Sequence, residues 1–266
     1  MEDSHVFTQY ADGIPFPEGP VFDSRGRLVV CARRGGYLVR VDVQGRVERL
    51  VELGGKPNGL AIDADDLLYV ADSSRGSVLT VNAQGDWSVL IPTESANHRL
   101  IGPNDLCFGS SGVLYFTDPG LSMDRNIGSV YRCNADGSGL ERIGRDMCFP
   151  NGLAVTEDER TLYVVESTTS RMMAIDLARP DSAPVVALEL GDDAVPDGMA
   201  WLDDDRLIIA CHGAGVMALV NTSDRTHRRV RLADHATPTN VVIRDGRCYV
   251  TDDVHGGVLV CDAAAL

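Results

Sequence analysis

The sequence contains no run of eighteen apolar residues, and its first stretch, MEDSHVFTQYADG, has neither a basic region nor an apolar one behind it. Neither a membrane-spanning helix nor a secretory leader is expected, and the chain reads as soluble and cytoplasmic. Positive charge is scarce: 24 Lys and Arg stand against 39 Asp and Glu, a formal charge of −15. Nucleic acid and anionic membranes, which are bound mainly through Lys and Arg, are therefore excluded as partners. The seven cysteines form no CxxC pair and are odd in number, which fits free thiols in a reducing compartment. There is no GxSxG motif and no P-loop, so covalent acyl transfer and nucleotide hydrolysis have no support.

Turn formers are abundant. The 27 glycines and 12 prolines are spread along all 266 residues, as suits many short strands joined by tight turns. Self-comparison reveals a period. Glu18, Asn58, Asn104, Asn151, Asp197 and Asn240 each precede a short apolar run, at spacings of 40, 46, 47, 46 and 43 residues. Each run is followed by a turn and a second apolar strand, then a third strand, and in most units a fourth, such as 47–51 or 87–91. No segment carries an amphipathic helical period. Four strands at such a period make a propeller blade, so the sequence predicts an all-β fold, a single six-bladed β-propeller domain over 1–266. The sixth unit has only three strands, while Val6 to Ala11 stands unused before the first. That segment is expected to close the ring by pairing with Val258 to Cys261, covering an exposed edge.

The first strand of each blade lines the channel, so the six polar anchors form a ring at one mouth. A hairpin returns Asp72, Asp118, Glu166, His212 and Asp252 to the same mouth. Oxygen donors with no cysteine and few histidines suit one hard divalent cation, Ca²⁺ ahead of Mg²⁺ or Mn²⁺, with Zn²⁺ least suited. Glu18 and Asp197 offer the neutralising charge, and Asn151 and Asn104 offer carbonyl oxygens. Any single anchor is equally well explained as a cap on a strand start.

The segments Pro17-Glu18-Gly-Pro-Val-Phe, Gly102-Pro103-Asn104-Asp105-Leu106, Tyr115-Phe116-Thr117-Asp118-Pro119, Pro150-Asn151-Gly152-Leu153 and Pro196-Asp197-Gly198-Met199 are similar to motifs of the regucalcin/gluconolactonase (senescence marker protein) family. They occur in that family's order and approximate spacing, and the chain resembles it over essentially its whole length. The resemblance implies a metal held by Glu18, Asn151 and Asp197, with Asn104 beside it and Asp197 as general base. Family lactonases often carry an arginine two residues before the substrate-contacting Asn. Here that place is Gly102, and the nearest arginine is Arg99.

The chemistry expected is hydrolysis of a lactone or similar ester, the metal polarising the carbonyl while a carboxylate activates water. Asp197, His212 and Asp118 are candidates for the base. Asn104 orients the carbonyl, and Asn58, Arg99 and Glu166 are assigned to the substrate. The same pocket could run an isomerisation, a lyase step or a ring closure. A reading of another class is a non-catalytic binding propeller of NHL type. The partner expected is a small-molecule substrate, with no obligate protein partner. The long connections 92–102 and 119–128 adjoin Asn104 and Asp118. Leu100, Ile101, Leu121 and Met123 are expected to form an apolar wall there, predicting a substrate less polar than a sugar lactone.

Overall fold

Proline opens the inner strand in five of the six repeats: Pro17–Phe22, Pro57–Ile62, Pro150–Val155, Pro196–Trp201 and Pro238–Arg244. At a strand's first position its missing N–H breaks no ladder bond. The remaining inner strand, Leu106–Phe108, follows Pro103 by three residues. In the computed structural model, which describes residues 6–95, 98–123, 126–232 and 235–266, each inner strand begins a four-stranded antiparallel sheet whose strands follow one another outward. The sheets are the blades of a six-bladed propeller, numbered one to six from the N-terminal side. Successive blades pack on each other and the first meets the sixth.

The ring is held by apolar surface between blades. Six clusters of buried side chains occupy the six junctions. Tyr69, Leu114 and Phe116 join blades two and three, and Leu207, Ile209 and Met172 join four and five. Second strands are buried on both faces, as Leu28–Ala32 is, whereas outermost strands such as Val47–Glu52 show mostly exposed side chains. Of the cysteines, all seven are free, and five are buried in these interiors. No helix of the described residues is long and apolar enough to cross a membrane.

Blade six is completed from the other end of the chain, as the sequence predicts. Thr8–Ala11 pairs with Gly257–Asp262 through Thr8 with Val260, Gln9 with Leu259 and Ala11 with Val258. Phe7 is buried in the junction of blades five and six, and Ala11 and Ile14 in that of six and one. A strand far from its partner in sequence thereby locks two junctions at once.

A second regularity fixes the loops at the mouth. Asp72, Asp118, Glu166 and Asp252 end the second strands of blades two, three, four and six. Each accepts a backbone N–H from the segment leading into its own inner strand: Lys56 at 3.0 Å, Gly102 at 2.8 Å, Cys148 at 2.8 Å and Thr237 at 2.9 Å. In blades one and five the place opposite the strand-opening proline is taken by Ala32 and Cys211. Those are the two blades whose anchors are the acids Glu18 and Asp197.

Candidate functional site

The anchors reach the axis because the inner strands bulge. Directly after the opening proline or the anchor, pairing with the second strand slips by one residue in blades one, two, four, five and six. A bulge bends the strand and re-aims a side chain. Glycine follows the anchor in four blades because the next blade's inner strand, by its backbone or its side chain, passes close by. A Cβ on Gly152 would stand 2.4 Å from the Asp197 carbonyl oxygen, a contact that only glycine tolerates. Asp105 and Asn240 occupy the corresponding places in blades three and six. The anchor of blade six is therefore Thr239, one residue before the position read from the sequence, and its hydroxyl donates to the Pro17 carbonyl at 2.7 Å. Blades three and six face each other across the ring. The Asn240 amide donates to the Asp105 carboxylate at 3.3 Å, barring the channel below the anchors.

Backbone strain singles out three of the six blades. Phe16, Phe149 and Val195, each immediately before the opening proline, have φ of 56°, 58° and 43°. This region disfavours L-residues with a bulky or β-branched side chain. Such strain persists where surrounding structure enforces it, often at functional sites. The strained blades are those bearing Glu18, Asn151 and Asp197, while Lys56, Gly102 and Thr237, at the same place in the other blades, are not among the positive-φ residues.

Glu18, Asn151 and Asp105 are buried, at 3%, 6% and 6% exposure. Burial, then the neighbouring Asp197, pushes the Glu18 carboxyl well above its ordinary range. Burial, then Asp105, raises Asp197 to about 8 against the hydrogen bond from Asn151. Asp105 is raised to about 7 by burial, opposed by the Leu106 N–H and Asn240. The charge of Arg33 acts on both Glu18 and Asp197, favouring their ionised forms. When ionised, Glu18, Asp105 and Asp197 carry three negative charges against the single positive charge of Arg33, an excess of two that a divalent ion would balance. Among the described residues no three His, Cys, Asp or Glu side chains are drawn together tightly enough to hold an ion by themselves. A site here must therefore mix carboxylate with amide oxygen, the donor set of a hard cation. Without the ion the folded chain keeps protons that the unfolded chain has released. Stability of the metal-free fold thus falls as pH rises from the ordinary carboxylate range through about 8.

The other residues singled out from the sequence are spread around this centre. Asn58 is buried and donates to the Asn104 carbonyl at 3.2 Å, and the Asn104 N–H donates to Thr117 at 2.9 Å. Asp118 accepts from the N–H groups of Ile101, Gly102 and Gly120, at 2.8, 2.8 and 3.3 Å. Glu166 accepts from the Cys148 N–H and the Thr169 hydroxyl. Both carboxylates hold loops with the oxygens that catalysis or binding would need. His212 is half-buried beside Cys211. Arg99 is exposed on a short hairpin, 3.8 Å from Glu94. Leu100 is 1% exposed and belongs to the junction of blades two and three, not to the expected wall. Ile101, Leu121 and Met123 are exposed at 41%, 73% and 47%, while 96–97 and 124–125 of the two long connections lie outside the described residues. Leu121 lies over Gly102, 2.9 Å from where a Cβ would stand, in the space an arginine there would need. Asp105 and Arg33 were not among the sequence candidates. Asp105 was detectable as the acid replacing a repeated glycine. Arg33 was detectable as the cation in the place where blades two and four carry Ser73 and Ser167.

The model of the SMP-30/gluconolactonase/LRE-like region matches residues 16–252. The chain belongs to that family. Among family relatives, the diisopropyl-fluorophosphatase of Loligo vulgaris is 29% identical over 240 residues, 79% of this chain and 76% of that one. The lactonase drp35 of Staphylococcus saprophyticus is 29% identical over 217 residues, 77% of this chain and 66% of that one. In fold, this family member is similar to regucalcin of Agrobacterium tumefaciens, a calcium-binding protein, with a TM-score of 0.78 over 96% of this chain and 93% of that one at 22% identity. Both relatives are named for hydrolytic enzymes, and the chain is a hydrolase of this family.

Proposed function

We propose that residues 1–266 act as one propeller that hydrolyses a neutral lactone or ester of low polarity at a divalent-metal site. Glu18, Asn151 and Asp197 would hold the ion, with Asn104 beside it, and Ca²⁺ is the ion this donor set suits best. The observation that carries the reading is the unbalanced charge of Glu18, Asp105 and Asp197 on the axis, with Glu18 and Asp197 in blades whose backbone is strained. When bound, the ion supplies Lewis-acid polarisation of the carbonyl and favours the charged carboxylates. Asn104 orients the substrate oxygen. Asp197, at the mouth and bonded to Asn151, takes a proton from water. Asp118 and Glu166 keep the loops around the pocket in place. The apolar side chains of Ile101, Leu121 and Phe149 favour an apolar acyl or alkyl part over a polyhydroxylated ring. The free thiols fit a reducing, cytoplasmic setting.

Steady-state kinetics on a matched pair, an alkyl-substituted lactone and gluconolactone, test the substrate class. The alkyl lactone is expected to have the larger kcat/KM by at least tenfold, and a chelator is expected to abolish both activities. A preference for gluconolactone would overturn the assignment of the apolar rim.

A further inference from the structure

Arg33 has no part in the proposed ion site, yet the fold brings it there. It follows Ala32, the residue opposite Pro17, and its N–H donates to the Phe16 carbonyl at 3.0 Å. That bond extends the hairpin of Glu18 by one step and sets the side chain at the mouth of blade one. The guanidinium lies over the Phe16 ring, 5.1 Å from its centroid. Stacking on an aromatic face orients a guanidinium while leaving its edge N–H groups for other partners.

Among the described residues no side-chain hydrogen bond or ion pair uses those N–H groups. Arg33 makes no ion pair among the described residues, although its neighbour Arg34 reaches Asp253 at 3.8 Å. Its Nε is buried without a hydrogen-bond partner. Buried donors are rarely left unpaired, and an unpaired one calls for an explanation. Arg40 and Arg142 share the feature, but they belong to a third and an outer strand, away from the axis. Arg33 differs because its field reaches Glu18 and Asp197. A guanidinium serving simply as their counterion would close to ion-pair distance, and this one is held back on Phe16 with its donors free.

We propose that Arg33 is a catalytic residue of this pocket, donating to the acyl oxygen on which negative charge builds as water attacks. The proposal rests on the hydrolytic reading above. In the step, the oxygen of water bonds to the acyl carbon and the carbonyl π pair moves onto the acyl oxygen, which Arg33 faces. One proton of the water passes to a carboxylate. As the pair returns, the bond to the alkoxy oxygen breaks, and that oxygen collects the proton. Water and a lactone give a hydroxy acid, and nothing is oxidised or reduced. A charge-assisted donor that meets the oxyanion more strongly than the neutral carbonyl raises kcat and changes KM little. Because the site otherwise presents carboxylates, this cation supplies its positive edge.

Arg33→Gln and Arg33→Lys test this, with kcat, KM, calcium affinity and melting temperature measured on each. Arg33→Gln is expected to lower kcat by roughly 100-fold to 1000-fold with KM within about threefold. Arg33→Lys is expected to recover part of the loss, since it restores charge without the planar fork. At a pH where both carboxylates are ionised, calcium should bind Arg33→Gln several-fold more tightly, because a like charge has left the neighbourhood of Glu18 and Asp197. Inhibition by the hydroxy-acid product should weaken. An unchanged kcat in Arg33→Gln, or weaker calcium binding there, would overturn the proposal while leaving the hydrolytic reading intact. Absence of turnover by the wild type on any lactone or ester would overturn both.

Discussion

Glu18→Gln is expected to weaken calcium binding by more than roughly 100-fold and to abolish turnover at micromolar calcium, while the propeller still folds. Partners one shell removed from a metal typically change affinity 10-fold to 100-fold, and Glu18 is proposed as a direct, charged ligand. Gln keeps an oxygen donor and the shape but removes the charge that a hard cation needs. The metal-free variant should be at least as stable as metal-free wild type at pH 8. The native carboxyl sits with its pKa raised by burial and by Asp197, so its ionised form disfavours folding, increasingly as pH rises through the raised value. Gln carries no such pH-dependent cost. Calcium titration and thermal melts at pH 6 and pH 8 check both halves. A variant that lost stability in the metal-free state at pH 8 would assign Glu18 a structural role instead.

The second large effect is on the fold. Deleting residues 1–11 removes Phe7, 3% exposed, and Ala11, 4% exposed, from two blade junctions. It also leaves Gly257–Asp262 without its outer partner. Burial of a phenylalanine contributes about 1.5–3 kcal/mol. Adding the strand pairing, the expected loss is about 4 kcal/mol or more, from a total on the order of 5–15 kcal/mol. The melting temperature should fall by about 10 °C or more. The bared edge should promote association at high concentration. An unchanged melting temperature would show that the pairing contributes little to closing the ring.

The fold was legible because each blade repeats one hairpin pattern, so six weak signals reinforce one another. The closing strand was legible as a shortage in unit six matched by a surplus before unit one. The site was legible only in outline. Asn240 reads as an anchor because it precedes an apolar run. The reliable marker was the strand-opening proline, which places Thr239 there and sets Asn240 beside Asp105 on the axis. Leu100 reads as a pocket residue from its loop, but the loop turns it into the junction of blades two and three. Asp118 and Glu166 share the mouth with Glu18, yet whether a carboxylate faces the axis or a backbone amide depends on the loop that crosses it. The positive φ of Phe16, Phe149 and Val195 has no signature at all in residue type.

The measurement that bears most directly on the central claim is calcium binding to metal-stripped wild-type protein, followed by calorimetry in buffers of differing ionisation enthalpy between pH 6 and pH 9. The account predicts about one ion bound per chain, with protons released on binding, because Asp197, raised to about 8, and Glu18, raised well above its ordinary range, are protonated when the site is empty and must ionise to hold a cation. Affinity should therefore rise with pH and level off above about 8. A folded protein that binds no divalent ion, or binds one without proton release across that range, would contradict it.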